Sequence, residues 1–210
     1  MVHSAEIIKI DKGHPREAFE RCAAAIKAGG VIAYPTDTFY GLGADPRDRR
    51  AVSKVFEIKG RGTDQPILLL LHNRFEVAAW ASAITRSAEK LMDRFWPGPL
   101  TLVFTARPDI LPELTGRTGT IGLRVPGNEV TRALLGQTGN ALTGTSANRS
   151  GSSNPRTPEE VMHELGDRID LVLDGGVLTA NMPSTVVDVT AEPPRIIRMG
   201  AVDVSAEMIR

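Results

Sequence analysis

The run "PILLLLH", Pro66 to His72, constrains the fold more than any other stretch of the chain. Its apolar residues follow one another without a polar interruption, so no side is left for water. The run therefore predicts a strand covered on both faces. Neighbouring segments supply the cover. "PREAFERCAAAIKAGG" predicts a helix with Pro15 in its first turn and Gly29 or Gly30 at its end, placing Phe19, Cys22, Ala23 and Ile26 on one face. "RDRRAVSKVFEIKG" spaces Val52, Val55 and Phe56 as a helix does. "TRSAEKLMDRFW", "NEVTRALLGQTG" with Asn128 as N-cap, and "TPEEVMHELG" with Pro158 and a Thr157–Glu160 capping box complete the helices. Between them, "EIIKI", "VIAYP", "LTLVFT", "TIGLRVP", "IDLVLDGG", "STVVDVT" and "RIIRMGA" read as strands. "ALTGTSAN" reads as a strand running into a polar turn. This alternation predicts an α/β fold, with a twisted mixed sheet flanked by helices. No linker divides the chain, so one domain over residues 1–210 is expected.

Charge and cysteine usage exclude several functions. Lys plus Arg and Asp plus Glu both number 25, and a protein built mainly to coat nucleic acid carries a basic excess instead. Cys22 is the only cysteine, which leaves no disulfide framework and no thiolate metal site. The N-terminus "MVHSAEIIKIDKGHP" shows neither a signal-peptide apolar region nor a membrane-spanning run, so a cytoplasmic location with no membrane association is expected. Phosphate-loop, dinucleotide-fold and H-E-x-x-H motifs are absent, and His3, His14, His72 and His163 are dispersed. Nothing points to a covalent nucleophile.

Polar clusters recur instead at strand ends, where α/β sheets bind ligands. Thr36, Asp37 and Thr38 lead into Gly41 and Gly43; "KGRGTDQP" carries Lys59 and Arg61; "TSANRSG" carries Ser146 and Asn148. Each also has a plain reading, as hydroxyls capping their own turn or cations at a helix end. Arg124 and Arg198 lie in apolar strands and each needs an anionic partner, a carboxylate or a ligand. Ser184 and Thr185 precede another strand. Together, hydroxyls and cations at so many strand ends predict one concave, positively lined cleft for an anion.

Taken in order, "YPTDTFYGLGADP", "KGR…QP", "WPGPLTLVF", "GLRVP", "TSANRSG", "PSTVVDV" and "IIRMGA" resemble the YrdC-like family of threonylcarbamoyl-AMP synthases, from about Ala5 to Ala201. Its K-x-R and S-x-N signatures stand here as Lys59-Gly60-Arg61 and Ser146-Ala147-Asn148. The resemblance implies a YrdC-like fold and synthesis of threonylcarbamoyl-AMP and pyrophosphate from L-threonine, bicarbonate or CO2, and ATP with Mg2+, feeding t6A modification of tRNA through a downstream transferase complex. It also implies that Thr38, Arg124 and Ser184 bind threonine. Lys59, Arg61, Ser146, Asn148 and Arg198 would then surround ATP, with Thr120 and Gly144 lining the nucleotide site. Lys59 and Arg61 become the catalytic cations that neutralise charge on the phosphates. Longer family members carry an additional C-terminal domain, so the expectation is the short, single-domain form. A YciO-like paralogue sharing "TIGLRVP", or a module contacting tRNA or double-stranded RNA, are the alternatives. The position that is often His in relatives aligns with Leu70, so His72 is given no substrate role.

Overall fold

The computed structural model describes residues 4–10 and 15–205; His3 and His14 lie outside them. In chain order the elements are β1 (Glu6–Lys9), α1 (Pro15–Lys27), β2 (Ile32–Tyr34), β3 (Gly41–Gly43), α2 (Arg49–Lys59), β4 (Leu69–Leu70), a 3-10 turn (Arg74–Ala79) and α3 (Arg86–Phe95). There follow β5 (Leu100–Thr105), β6 (Thr120–Arg124), α4 (Glu129–Thr138), β7 (Leu142–Thr143), β8 (Thr145–Ser146), α5 (Pro158–Leu165), β9 (Leu171–Asp174), β10 (Thr185–Asp188) and β11 (Arg195–Arg198).

The strands form two mixed sheets rather than the single sheet expected. One runs β1-β9-β2-β3-β8, the other β11-β10-β5-β6-β4-β7. Gly144 explains the division. "ALTGTSAN" is not one strand: Leu142 and Thr143 pair with β4, whereas Thr145 and Ser146 pair with β3. At the crossing, the Gly144 amide donates to the Leu68 carbonyl at 2.9 Å. A Cβ there would stand 2.7 Å from Leu68 Cδ1 and 2.9 Å from Leu70 Cγ, so only glycine passes this close. Thr143 ties the sheets together, its Oγ1 accepting from the Ala44 amide at 3.0 Å and donating to the Leu42 carbonyl at 2.9 Å.

The "PILLLLH" run contributes only two residues to β4, because Ile67 and Leu71 bond to Leu114 and Arg124 outside the ladder. Its two-sided cover holds nonetheless. Leu69 packs into the larger core and Leu70 into a second one with Cys22, Ile26, Leu134 and Leu135. That second core lies where α1 meets α4. Cys22 is wholly buried there, and burial pushes its thiol up to about 12, as expected of a packing residue.

Local caps set the helix ends. Asp48 accepts from the Arg50 and Ala51 amides, Asn128 from that of Thr131, and Thr157 from that of Glu160. Glu160 reaches back to the Arg156 amide at 2.6 Å, one residue beyond the Thr157 amide of the expected box. At its other end α2 stops at Gly60, in the left-handed region at φ 62°. This turn sends Lys59 and Arg61 in different directions. Among the described residues no helix is long and apolar enough to cross a membrane.

Candidate active site

Strand ends from both sheets meet at a cavity of ≈ 270 Å³. Thr38, Arg61, Arg124, Gly144, Ser146, Ser184 and Arg198 line it, with Leu68 and Leu70 as an apolar side. Among the described residues no carboxylate lines it. Of the residues expected in the site, three lie elsewhere. Lys59 and Asn148 sit behind Ser146, and Thr120 is held at the start of β6 by the Thr118 hydroxyl at 2.8 Å.

Lys59 is 3% exposed. Its Nζ donates to the Ser146 carbonyl at 2.7 Å, to Asn148 Oδ1 at 2.9 Å and to Ser146 Oγ at 3.3 Å, while its own carbonyl accepts from the Ser150 amide at 2.9 Å. The Asn148 amide group in turn donates to the Ser152 carbonyl at 2.5 Å. The two signature motifs are thus one hydrogen-bonded unit. Burial, reinforced by Arg61, lowers the Lys59 pKa from 10.5 to about 8; Glu164 opposes this. Because the folded value is depressed, the native state binds fewer protons than the unfolded chain between pH 8 and 10.5. Stability from this group is therefore fully present above 10.5 and lost as pH falls to 8. Relative to a Lys59→Met variant, the protein should gain up to about 3 kcal/mol across that window. Urea unfolding of both proteins at a series of pH values measures it; a flat difference would contradict a depressed pKa.

Arg61 is differently placed. Its guanidinium lies 5.5 Å from the Phe56 ring centroid, and among the described residues its only hydrogen bond is a long one, Nη2 to the Pro66 carbonyl at 3.4 Å. The buried Nε has no partner. Burial lowers its pKa, with Asp64 opposing. An unpaired buried donor is costly, and the rest of the guanidinium lines the cavity.

Arg124, at the end of β6, is 3% exposed. Its Nε donates to the Gly98 carbonyl at 3.0 Å, Nη1 to Thr38 Oγ1 at 3.4 Å, and Nη2 to Asp37 Oδ1. Across the cavity, Arg198 donates to the Ser184 carbonyl at 2.8 Å and to Ser184 Oγ at 3.3 Å. Ser184 Oγ also meets Thr101 Oγ1 at 2.9 Å.

The Thr36–Thr38 cluster caps its own turn and also reaches the cavity. Thr36 Oγ1 caps its own turn, accepting from the Thr38 amide at 3.1 Å and donating to the Phe39 carbonyl at 2.7 Å, yet both threonines line the cavity. Gly41 and Gly43 do not belong to a loop. They form β3, where the Tyr34 ring lies across the strand and a Cβ on Gly43 would approach Tyr34 Cε1 to 2.6 Å. Asn154, Pro183 and Tyr40 also line the cavity and were not singled out from the sequence. Asn154 sits in a Ser- and Gly-rich loop with no local mark to separate it from ordinary turn residues.

Convergent guanidinium and hydroxyl groups at strand ends, with no histidine or carboxylate among the described lining residues to activate a hydroxyl, give this α/β domain a cavity whose chemistry suits an anionic ligand. The particular lineage follows from comparison: the chain belongs to the Sua5/YciO/YrdC family, whose model, described as "Telomere recombination", matches residues 24–200. It is 36% identical over 179 residues to threonylcarbamoyl-AMP synthase of Pyrococcus abyssi, covering 85% of this chain and 52% of that protein. The structure is similar to P. abyssi Sua5 complexed with L-threonine, with a TM-score of 0.89, 32% identity and coverage of 95% of this chain and 59% of that one. It is also similar to E. coli YciO, with a TM-score of 0.85, 29% identity and coverage of 97% and 98%. The chain thus spans about half the length of the curated synthase from P. abyssi.

Proposed function

We propose that the chain is a threonylcarbamoyl-AMP synthase working as a single domain over residues 1–210, in the cytoplasm and without a membrane partner. The observation that carries this reading is the wall of Arg61, Arg124 and Arg198, with no carboxylate among the described lining residues. Such a wall suits a concave, positively lined cleft for a triphosphate and an amino-acid carboxylate. The threonine amine adds to CO2, supplied as such or from bicarbonate, and loses a proton to give a carbamate. A carbamate oxygen then attacks the α-phosphorus of ATP; the bond to the β,γ-phosphate breaks and pyrophosphate leaves. No enzyme nucleophile is needed. What the protein contributes is alignment and neutralisation of the spreading charge.

Arg124, with Thr38 and Ser184, receives threonine. Arg61 and Arg198 face the phosphates, with Ser146 and Gly144 beside them. Lys59 and Asn148 hold the Ser146 turn and bring a positive charge close behind it; Thr120 stands at the outer edge of the nucleotide region. Mg2+ fits as a companion of the triphosphate: the lining offers cations and hydroxyls, so phosphate oxygens would be its ligands. Passing the product to a t6A transferase complex, with or without a contact to tRNA or double-stranded RNA, completes the reading. Similarity to E. coli YciO over nearly all of both chains favours a YciO-like role as the second reading, while the retained Lys59/Arg61 and Ser146/Asn148 pairs favour the synthase.

Purified protein incubated with ATP and Mg2+ should release pyrophosphate only when threonine and bicarbonate are both present. Release indifferent to threonine would leave the YciO-like reading.

A further inference from the structure

Arg124 has an intramolecular partner that the threonine reading does not use. Asp37 lies beside it, and the pair separates two cavities. Arg124 lines the main cleft; Asp37 lines a second cavity of ≈ 360 Å³, together with Thr36, Asn128 and the backbone around Gly175. The Asp37 side chain is 17% exposed, against 3% for that of Arg124. Both carboxylate oxygens are engaged: Oδ1 accepts from Arg124 Nη2, and Oδ2 accepts from the Gly127 amide at 3.1 Å. Gly127 lies three residues beyond Arg124, just after β6 ends. One side chain therefore grips both the guanidinium and the backbone that carries it.

We propose that Asp37 is the positioning residue of this site, fixing the plane and depth of the Arg124 guanidinium so that its remaining N–H groups meet the substrate carboxylate. The inference rests on the reading of Arg124 as the threonine ligand. Its physical basis is that an Arg fork binds a carboxylate well only when held in plane with it. The Gly98 carbonyl and Thr38 hydroxyl are single contacts and leave the fork free to pivot about Nε. Asp37 closes that freedom from the opposite edge. A side chain in this place must accept at two atoms. Asparagine cannot: whichever way its amide is turned, one of the two contacts becomes donor against donor.

The test is steady-state pyrophosphate release by Asp37→Asn and Asp37→Glu, with threonine and ATP varied separately, alongside calorimetric threonine binding in the absence of ATP. Asp37→Asn should raise the threonine KM and weaken threonine binding by about tenfold or more. The ATP KM should stay within about twofold, since the fork faces the amino acid and not the phosphates. Asp37→Glu keeps two accepting oxygens and should fall between Asp37→Asn and the parent. Parent-like threonine kinetics in Asp37→Asn would overturn the inference. So would equal rises in both KM values with a lowered Tm, which is what general loosening produces. If Asp37→Asn does not fold, Asp37→Glu decides: a raised threonine KM alone supports the inference, and an unchanged one overturns it. Failure of the functional reading is distinguishable, because then the parent protein itself shows no dependence on threonine, and this inference falls with it.

Discussion

Arg61→Ala should lower threonine-dependent pyrophosphate release by about 100- to 1,000-fold, the usual cost of losing a donor aimed at developing charge. The fold should be nearly untouched. Among the described residues little holds on to this side chain: its one hydrogen bond is 3.4 Å long, its Nε is unpartnered, its contact with the Phe56 ring is worth only about 0.5–1 kcal/mol, and its charge repels that of Lys59. Arg61→Lys should recover little, since a point charge on a flexible stem cannot reproduce the fork. Initial rates at saturating ATP and threonine, with thermal melts of the same samples, separate the two effects. A variant that melts normally and keeps its rate would remove Arg61 from the chemistry.

Arg124→Met should behave oppositely, losing both activity and stability. The side chain is 3% exposed, and removing it leaves the Asp37 carboxylate and the Gly98 carbonyl without their partner. Breaking one side of a buried ion pair typically costs about 3–5 kcal/mol. In a chain of this size that corresponds to a fall in Tm of roughly 6–20 °C. Denaturant unfolding, with the slope unchanged and the midpoint lowered, is the check. Two arginines on one cavity wall thus make opposite predictions about the fold, and the distinction comes from their partners alone. An Arg124→Met protein as stable as its parent would mean that the pair with Asp37 contributes little to the fold.

Elements defined by their neighbours were legible in the chain. The caps at Asn128 and Thr157, the turn at Gly60 beyond Lys59 and the core face of α1 through Cys22 and Ile26 all depend on residues within a few positions of one another. Hydroxyls and cations at strand ends were legible for the same reason. Other features were not. "ALTGTSAN" looks continuous, and its break at Gly144 exists because Leu68 and Leu70 press against that point from another part of the chain. Gly41 and Gly43 look like loop residues, yet both lie in β3, and at Gly43 the need for glycine comes from the Tyr34 ring across the strand.

The same division runs through the site. By itself the sequence determined an alternating α/β chain, the helix ends, and the positions of the cation and hydroxyl clusters. These follow from side-chain period, capping and residue type, which act over a few bonds. Tertiary structure alone decided that there are two sheets, that Arg61 faces the cavity while Lys59 turns away into the Ser146–Asn148 turn, and that Asp37 meets Arg124 across 87 residues of chain. Such pairings are set by which strands lie side by side. That choice is made by the summed burial of distant segments, so no local pattern around either partner records it.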